Sequence, residues 1–196
     1  MTHRSSRTKT WARWLATFIG FPAAGFTARL VVGDVDDVAA AAIGGLTAGL
    51  VLGAVQALVG GIPRLRRVRW TVATAGGLAA GLAVGASAVG YRTDSWSLAV
   101  MGTVCGLGVG LAQGFSVPMR DLDRWLWVAS TPVLWAVGWL ITLQVIVDAE
   151  RQHAMFGASG ALFVSAVTGV LVALRRPFDE NSSVVSHATM VSAGAS

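Results

Sequence analysis

Long apolar runs and short polar segments alternate along the chain. Each of six runs contains about 20 mostly apolar residues, the length that an α-helix needs to cross the hydrocarbon core of a membrane. The six runs are Trp11–Val32, Val38–Val59, Thr71–Val89, Ser97–Val117, Trp127–Val147 and Met155–Leu174. The pattern predicts an all-α integral membrane protein with six transmembrane helices in one domain, residues 11–174, between a basic tail, 1–10, and a disordered tail, 175–196.

Small residues recur at every fourth position within these runs. The series in the second span recurs in the fourth at an offset of 57 residues, and a weaker copy lies in the sixth. The three series are Gly45, Gly49, Gly53 and Gln56; Gly102, Gly106, Gly110 and Gln113; and Gly157, Ala161, Ser165 and Thr168. A helix face of small residues lets a neighbouring helix come close. The glycines of these series are therefore predicted to form packing faces, as are Gly77, Gly81 and Gly85 of the third span.

The odd-numbered spans repeat as well. Each has a tryptophan near its start, namely Trp14, Trp70 or Trp127. The chain thus divides into three two-helix units, at about residues 11–60, 68–117 and 125–174. Because every unit leaves one side of the membrane and returns to it, the three units are predicted to be parallel repeats.

Helix-breaking residues follow these tryptophans. Pro22, the pair Gly76 and Gly77, and Pro132 are expected to interrupt the odd-numbered helices and to kink them at the two prolines. Polar residues also recur there: Thr17 matches Thr74, and the third copy continues, with a small slip, at Ser130.

The distribution of positive charge predicts the orientation. Twelve of the 15 Lys and Arg residues fall in the two tails, at the start of the first span, or in the second and fourth connections between spans. The remaining three fall on the other side, together with six acidic residues. Since positive residues are retained on the cytoplasmic side, both termini are predicted to be cytoplasmic. The tryptophans near that side are expected to lie at the membrane interface; they are Trp11, Trp14, Trp70, Trp125 and Trp127.

Composition agrees with a membrane protein and argues against several classes of function. Of the 196 residues 13% are charged, whereas a soluble domain usually has about 25%. The net charge of +5 does not indicate nucleic-acid binding, because the basic residues lie in short clusters between apolar spans. Lys9 is the one lysine, so a Schiff-base cofactor within the membrane is excluded. Cys105 is the one cysteine, which excludes an internal disulfide and a thiolate metal site.

Polar residues inside the spans are the candidates for chemistry. Gln56, Gln113 and Thr168 occupy the same position in the three copies. Two interpretations stay open: these side chains join helices by hydrogen bonds, or they line a central cavity that binds a polar solute. The middle third of each span lacks Asp, Glu, Lys and His. A proton-coupled mechanism, an enzymatic activity, a metal and a cofactor are therefore not expected.

Charged residues between the spans on the less basic side are interpreted as solvated turns. One acidic group contains Asp34, Asp36 and Asp37, and another contains Asp148 and Glu150 beside a histidine. Their spacing matches no calcium-binding loop. Arg29, near the outer end of the first span, is expected to snorkel outward or to pair with Asp34.

The order of these features resembles a loose group of small bacterial membrane proteins of no established function. In that group a glycine-rich helix ends in Gln-Trp-Leu and is followed by a basic turn and a Trp-x-x-Ala helix. Two matching series lie within about residues 11–174: Gly45, Gln56, Arg64 and Trp70, and Gly102, Gln113, Arg120 and Trp125. The chain departs from the group at Ala57 and Gly114, which stand where the group has tryptophan. The resemblance implies the fold and no activity.

Two functional hypotheses follow from these features. The first is a non-catalytic scaffold or accessory subunit, whose glycine faces pack its own helices and those of a partner or of a second copy. The second is a small facilitator or channel for an uncharged or lipid-like solute, lined by the kinked odd-numbered helices. Both place a multi-pass protein in the bilayer of a plasma membrane, and the resemblance implies a bacterial inner membrane.

Overall fold

The computed structural model describes residues 2–145, 157–175 and 178 of the chain. Within these residues the regular structure is helical. The α-helices are α1 (Thr2–Ala16), α2 (Gly20–Val32), α3 (Val38–Val59), α4 (Arg67–Ala88), α5 (Ser95–Ser116), α6 (Asp121–Val145) and α7 (Ala158–Arg175). Two 3-10 segments join some of them, Thr17–Ile19 between α1 and α2, and Arg64–Arg66 before α4.

Six of the described helical segments are long and apolar enough to cross a membrane. They are Ser6–Val32, Val38–Val59, Arg64–Ala88, Ser95–Ser116, Asp121–Gln144 and Ala158–Arg175. The prediction of an all-helical chain with six spans is confirmed at this level, and it indicates a multi-pass membrane protein. The fifth connection, with Asp148, Glu150 and His153, lies outside the described residues.

Acidic residues in the turns cap the N-termini of two of these helices. Asp37 caps α3 by accepting a hydrogen bond from the backbone nitrogen of Ala40 at 2.7 Å. Asp94 caps α5 in the same way, and its second carboxylate oxygen accepts from the Ser97 hydroxyl at 2.6 Å. That hydroxyl, followed by the Ser97 backbone, holds the pKa of Asp94 below its ordinary value of 3.8. Arg29 lies 3.6 Å from Asp34, as expected from the sequence.

The six spans form a closed ring. Each span packs against the spans before and after it in the sequence, and α1 packs against α7. The six spans alternate in direction, so the start of the first span and the end of α7 lie at the same end of the bundle. This end also contains the turn after α3 and the turn after α5, and it is called the tryptophan end below because Trp14, Trp70 and Trp127 meet there.

The glycine series lie at the contacts between neighbouring helices. A Cβ atom added to Gly49 would lie 2.5 Å from the Cα atom of Ala75 in α4. One added to Gly106 would lie 2.7 Å from the Cα atom of Pro132 in α6. Real Cβ atoms do not come this close, so these helices pack backbone against backbone. The same arrangement places Gly45 and Gly53 against α4, Gly77 and Gly81 against α5, and Gly102 and Gly110 against α6.

Of the remaining two glycines of the series, Gly85 has looser surroundings. A Cβ atom on Gly85 would lie 3.4 Å from its nearest neighbours, which is close to an ordinary contact. Gly157 is buried just before α7. In α7 a side chain at Gly160 would collide with the backbone oxygen of Gly138 in α6. The sixth span therefore meets α6 at Gly160, a position that the sequence comparison did not single out.

The expected helix interruptions are found only in the first span of the described chain. There the helix tightens into the 3-10 segment Thr17–Ile19, directly before Pro22, which has no N–H group to donate to the carbonyl of residue 18. In contrast, α4 stays helical through Gly76 and Gly77, and α6 stays helical through Pro132. The expected interruptions are therefore absent from α4 and α6, and the kink expected at Pro132 stays a prediction.

The single cysteine offers a readout of unfolding. Cys105 is buried on the face of α5 that contacts Gly81 of α4. A maleimide can reach the thiol only when α4 and α5 separate. We expect a fluorogenic maleimide to label the folded protein in detergent slowly and to label it fully through its melting transition. Fast labelling of the folded protein, at the rate seen in denaturant, would contradict the packing of α4 on α5.

Candidate functional site

Three tryptophans meet inside the tryptophan end. The side chains of Trp14, Trp70 and Trp127 are 1%, 0% and 4% exposed. Their ring centroids lie 5.7 to 6.2 Å apart in edge-to-face arrangements. These three rings therefore contact one another inside the bundle, whereas Trp125 is exposed, and the expected level of the tryptophans at the membrane interface stays a prediction. A tryptophan can be buried so completely because its indole N–H finds an internal partner.

Each of these indoles donates a hydrogen bond to a polar residue on an even-numbered span. Trp70 Nε1 donates to Gln56 Oε1 and Trp127 Nε1 donates to Gln113 Oε1, both at 3.1 Å. Trp14 Nε1 donates to Thr168 Oγ1 at 2.8 Å. The three candidate residues from the sequence are thus brought together at one level of the bundle. The third pair joins the first span to the last.

Three threonines complete this level. Thr17, Thr74 and Thr131 each donate a hydroxyl hydrogen bond to the backbone oxygen of the tryptophan one turn earlier, at 2.7, 2.8 and 2.6 Å. All three are buried. Thr131 was missed, because the sequence comparison continued the series at Ser130, although Thr131 follows Thr74 at the same offset of 57 that separates Thr17 from Thr74. These three threonines, with the three tryptophans, Gln56, Gln113 and Thr168, are called the polar layer.

Gln113 joins more helices than any other residue of the layer. Its Nε2 atom donates to Gln56 Oε1 at 3.0 Å and to Thr74 Oγ1 at 2.8 Å. Its Oε1 atom accepts from Trp127. One buried amide on α5 therefore bonds to α3, α4 and α6. This is the geometry of the first interpretation, in which the amides join helices, and it uses hydrogen-bonding groups that a solute would otherwise take.

Apolar side chains close the tryptophan end beyond this layer. The turns after α3 and α5 bury Ile62, Val117 and Met119 there. Phe178, which the sequence analysis assigned to the tail, stacks on Trp14 with ring centroids 5.8 Å apart. The polar layer is thus covered by an apolar lid, whose last member comes from beyond α7.

Arginine side chains at the rim of this end bind backbone oxygens of the turns and one buried carboxylate. Arg67 Nε donates to the backbone oxygen of Ile62, and Arg124 donates in the same way to that of Met119, at 3.1 and 3.2 Å. Asp123 is buried and its Oδ1 atom accepts from Arg175 Nε at 2.7 Å. This pair could not be predicted from the sequence, because its members lie 52 residues apart and each resembles a solvated charge.

A small cavity lies beside the polar layer. The centre of a water-sized sphere can occupy about 10 Å³ of it, which is near the minimum for one water molecule. Trp14 and Trp135 contribute aromatic walls. Its polar lining consists of Gln56, Gln113, Thr131, Ser165 and Thr168.

The chemistry that the layer can perform is limited to hydrogen bonding. Its side chains are amides, hydroxyls and indoles, which are neutral at physiological pH. Among the described residues no three His, Cys, Asp or Glu side chains are grouped so as to hold a metal ion. Asp123, the buried carboxylate of the rim, is paired with Arg175.

The chain was compared with protein-family models, with curated proteins and with solved structures, and it has no significant match in any of the three. The geometry of the polar layer is therefore the basis on which a function can be argued.

Removing the ring of Phe178 is expected to destabilise the lid. The Phe178→Ala variant loses a buried aromatic side chain that contacts all three tryptophans, which costs about 2 kcal/mol. Melting followed by Cys105 labelling would measure the loss. Leu65→Ala is the matched control, because Leu65 lies in the turn before α4 and is 87% exposed. Equal melting temperatures for the two variants would show that Phe178 does not cover the layer.

Proposed function

We propose that the protein is a non-catalytic scaffold or accessory subunit of the plasma membrane, built from three parallel two-helix repeats with both termini in the cytoplasm. The observation that carries this proposal is the polar layer. Its amides are bonded to the protein's own indoles and hydroxyls, and the cavity beside it has room for about one water molecule. An interior of this kind supports a structural role more than transport.

The contacts of the polar layer support the repeat organisation. In each unit a tryptophan and a threonine one turn later lie at the same level, and each indole bonds to the polar residue of an even-numbered span. The first unit bonds to the third in the way that the second bonds to the first. This cyclic relation is what three parallel repeats around a common axis produce.

Charge supports the proposed orientation. The tryptophan end carries the arginines of the turns after α3 and α5, whereas the opposite end has Asp34, Asp36 and Asp37. By the positive-inside rule the tryptophan end faces the cytoplasm. Cysteine variants placed at exposed positions of the two ends, in a Cys105→Ala background, would test this with a membrane-impermeant thiol reagent on intact cells.

The packing of the glycines restricts where a partner can bind. The glycine faces of α3 and α5 are covered by α4 and α6, so a partner helix does not have access to them. The outer faces of the bundle expose Leu, Ile and Val side chains, among them Leu46, Leu50 and Val133. A partner or a second copy would contact these outer faces, which otherwise face lipid.

Native mass spectrometry after mild extraction from the membrane tests the proposal. We expect a complex of fixed stoichiometry with a second membrane protein, and we expect the complex to persist in the Gln56→Leu and Gln113→Leu variants under conditions where they stay folded. A chain that is always alone, and whose removal leaves every membrane complex of the cell unchanged, would contradict a scaffold or subunit role.

One observation favours the second candidate, a facilitator for a small uncharged solute. The polar layer lies within a closed ring of helices and is covered at one end by Phe178, as a closed pore would be. Flux of glycerol or urea into proteoliposomes would test this. A facilitator predicts faster flux in Phe178→Ala than in Leu65→Ala, whereas the scaffold predicts background flux for both variants.

A further inference from the structure

The third copy of the polar layer differs from the other two at two positions. Thr168 stands where the first two copies have Gln56 and Gln113, and Ser165 stands where they have Gly53 and Gly110. A threonine side chain lacks the terminal amide of glutamine. The third position of the layer is therefore short by one hydrogen-bonding group.

Ser165 affects the packing of the helices, because it is larger than the glycines of the other two copies. In the first copy a Cβ atom on Gly53 would lie 2.9 Å from the Cβ atom of Thr74, and in the second copy one on Gly110 would lie 3.1 Å from that of Thr131. These two glycines let the helices close on the threonines. Ser165 has a real side chain at this position, which prevents an equally close approach in the third copy.

A cavity is found at the place that these two changes predict. Ser165 and Thr168 both line it, and it has room for the centre of about one water-sized sphere. The Oγ atom of Ser165 is buried, in a residue that is 1% exposed, and it has no hydrogen-bond partner in the described part of the chain. A buried hydroxyl without a partner is unfavourable, and native proteins usually satisfy such groups with an ordered water.

We propose that this cavity binds one structural water molecule, which takes the place of the missing third amide. Ser165 Oγ donates a hydrogen bond to the water, which in turn donates to lone pairs of the surrounding amide and hydroxyl oxygens. Gln113 Oε1, which accepts one bond from Trp127, and the Thr131 hydroxyl oxygen line the same cavity, and each keeps a lone pair that can accept from the water. The water then has the two to four polar partners that a buried water usually has.

The third copy of the polar layer would then differ from the other two in how its helices are joined. In the first two copies the contact beside the layer is made by glycine against threonine. In the third copy a water molecule would instead join α7 to α5 and α6, whose Gln113 and Thr131 line the cavity. The proposal concerns the hydration of the fold and does not depend on whether the protein is a scaffold or a facilitator.

Nuclear magnetic resonance in nanodiscs can detect this water directly. With methyl-labelled protein, we expect nuclear Overhauser contacts from water to the methyl groups of Val109, Val164 and Thr168, which line the cavity. The methyl groups of Leu82, buried in the same core but not part of this lining, are the internal control. In the Thr168→Gln variant the new amide fills the space, and the contacts to Val109 and Val164 should disappear. A wild-type protein without these contacts would overturn the proposal.

The melting temperature of a Ser165 variant is an independent test, because a dry cavity and a bound water predict changes of opposite sign. If the cavity is dry, Ser165→Ala removes an unsatisfied hydroxyl and raises the melting temperature. If the water is bound, the same change removes its hydrogen-bond donor, and we expect a fall of about 2 °C. Thr142→Val is the matched comparison, because the Thr142 hydroxyl is also buried with no partner among the described residues but does not line this cavity. Thr142→Val should raise the melting temperature, and a rise for both variants would contradict the bound water.

Discussion

Replacing Gly49 by leucine is expected to prevent the helical ring from closing. A Cβ atom on Gly49 would lie 2.5 Å from the Cα atom of Ala75 and 2.7 Å from the backbone oxygen of Thr74. These are backbone atoms that cannot rotate away, so α3 and α4 must separate along their length. Overpacking of this kind costs about 3 kcal/mol or more, a large part of the stability of a typical domain. Size-exclusion chromatography and Cys105 labelling at low temperature would measure the loss.

Gly76→Leu is the matched control for this substitution. Gly76 lies in α4, the helix that Gly49 contacts, but a Cβ atom there would have no neighbour within 4 Å. Leucine is also a better helix former than glycine. The control variant should melt at or above the temperature of the wild type. If Gly49→Leu melts like Gly76→Leu, the backbone contact between α3 and α4 does not exist in the folded protein.

The spans could be predicted from the sequence because their signal is local. The second run, Val38–Val59, has the same limits as α3. The third run begins at Thr71, whereas α4 begins at Arg67, since arginines at the end of a helix can be helical without being apolar. Span length and hydropathy thus predict the number of spans. They do not predict the residues at which a helix begins and ends, because charged residues there can be helical as well.

The burial of the tryptophans could not be derived from the same signal. An indole at the end of a span suits the membrane interface and suits a buried position equally well, as long as its N–H group has an acceptor. Gln56 and Gln113 are those acceptors, each 14 residues before its tryptophan and on the neighbouring helix. A helical hairpin with a turn of this length places the glutamine opposite the tryptophan. The repeated spacing of 14 residues could therefore have predicted these two hydrogen bonds. Thr168 pairs with Trp14 only because the ring closes, which no local pattern shows.

The contacts at the rim could not be predicted from the sequence for a different reason. Phe178 follows the last helix in a stretch without helical periodicity, so nothing local distinguishes it from the tail. Its place in the lid depends on the space that Trp14, Trp70 and Trp127 leave between them. Burial of this kind is a property of the assembled bundle, and so is the buried pair between Asp123 and Arg175.

Replacing Gln113 by leucine is expected to be the most damaging change within the polar layer. Leucine has a similar size but removes the acceptor of Trp127 Nε1 and the donor to Gln56 and Thr74. The indole N–H of Trp127 is then buried without a partner, and hydrogen bonds to two further helices are lost with it. Together these losses cost about 3 kcal/mol. The melting temperature of the variant, followed by Cys105 labelling, should fall well below that of the wild type.

A control and a double variant decide what the amides do. Gln144→Leu removes an amide from an exposed position near the other end of α6 and should leave the melting temperature unchanged. Gln56 and Gln113 bond to each other, so the loss in the double leucine variant should be smaller than the sum of the two single losses. Additive losses would mean that the two amides act separately. If instead the double variant melts like the wild type but no longer retains a small solute that co-purifies with it, the amides bind that solute, and their role in joining helices is refuted.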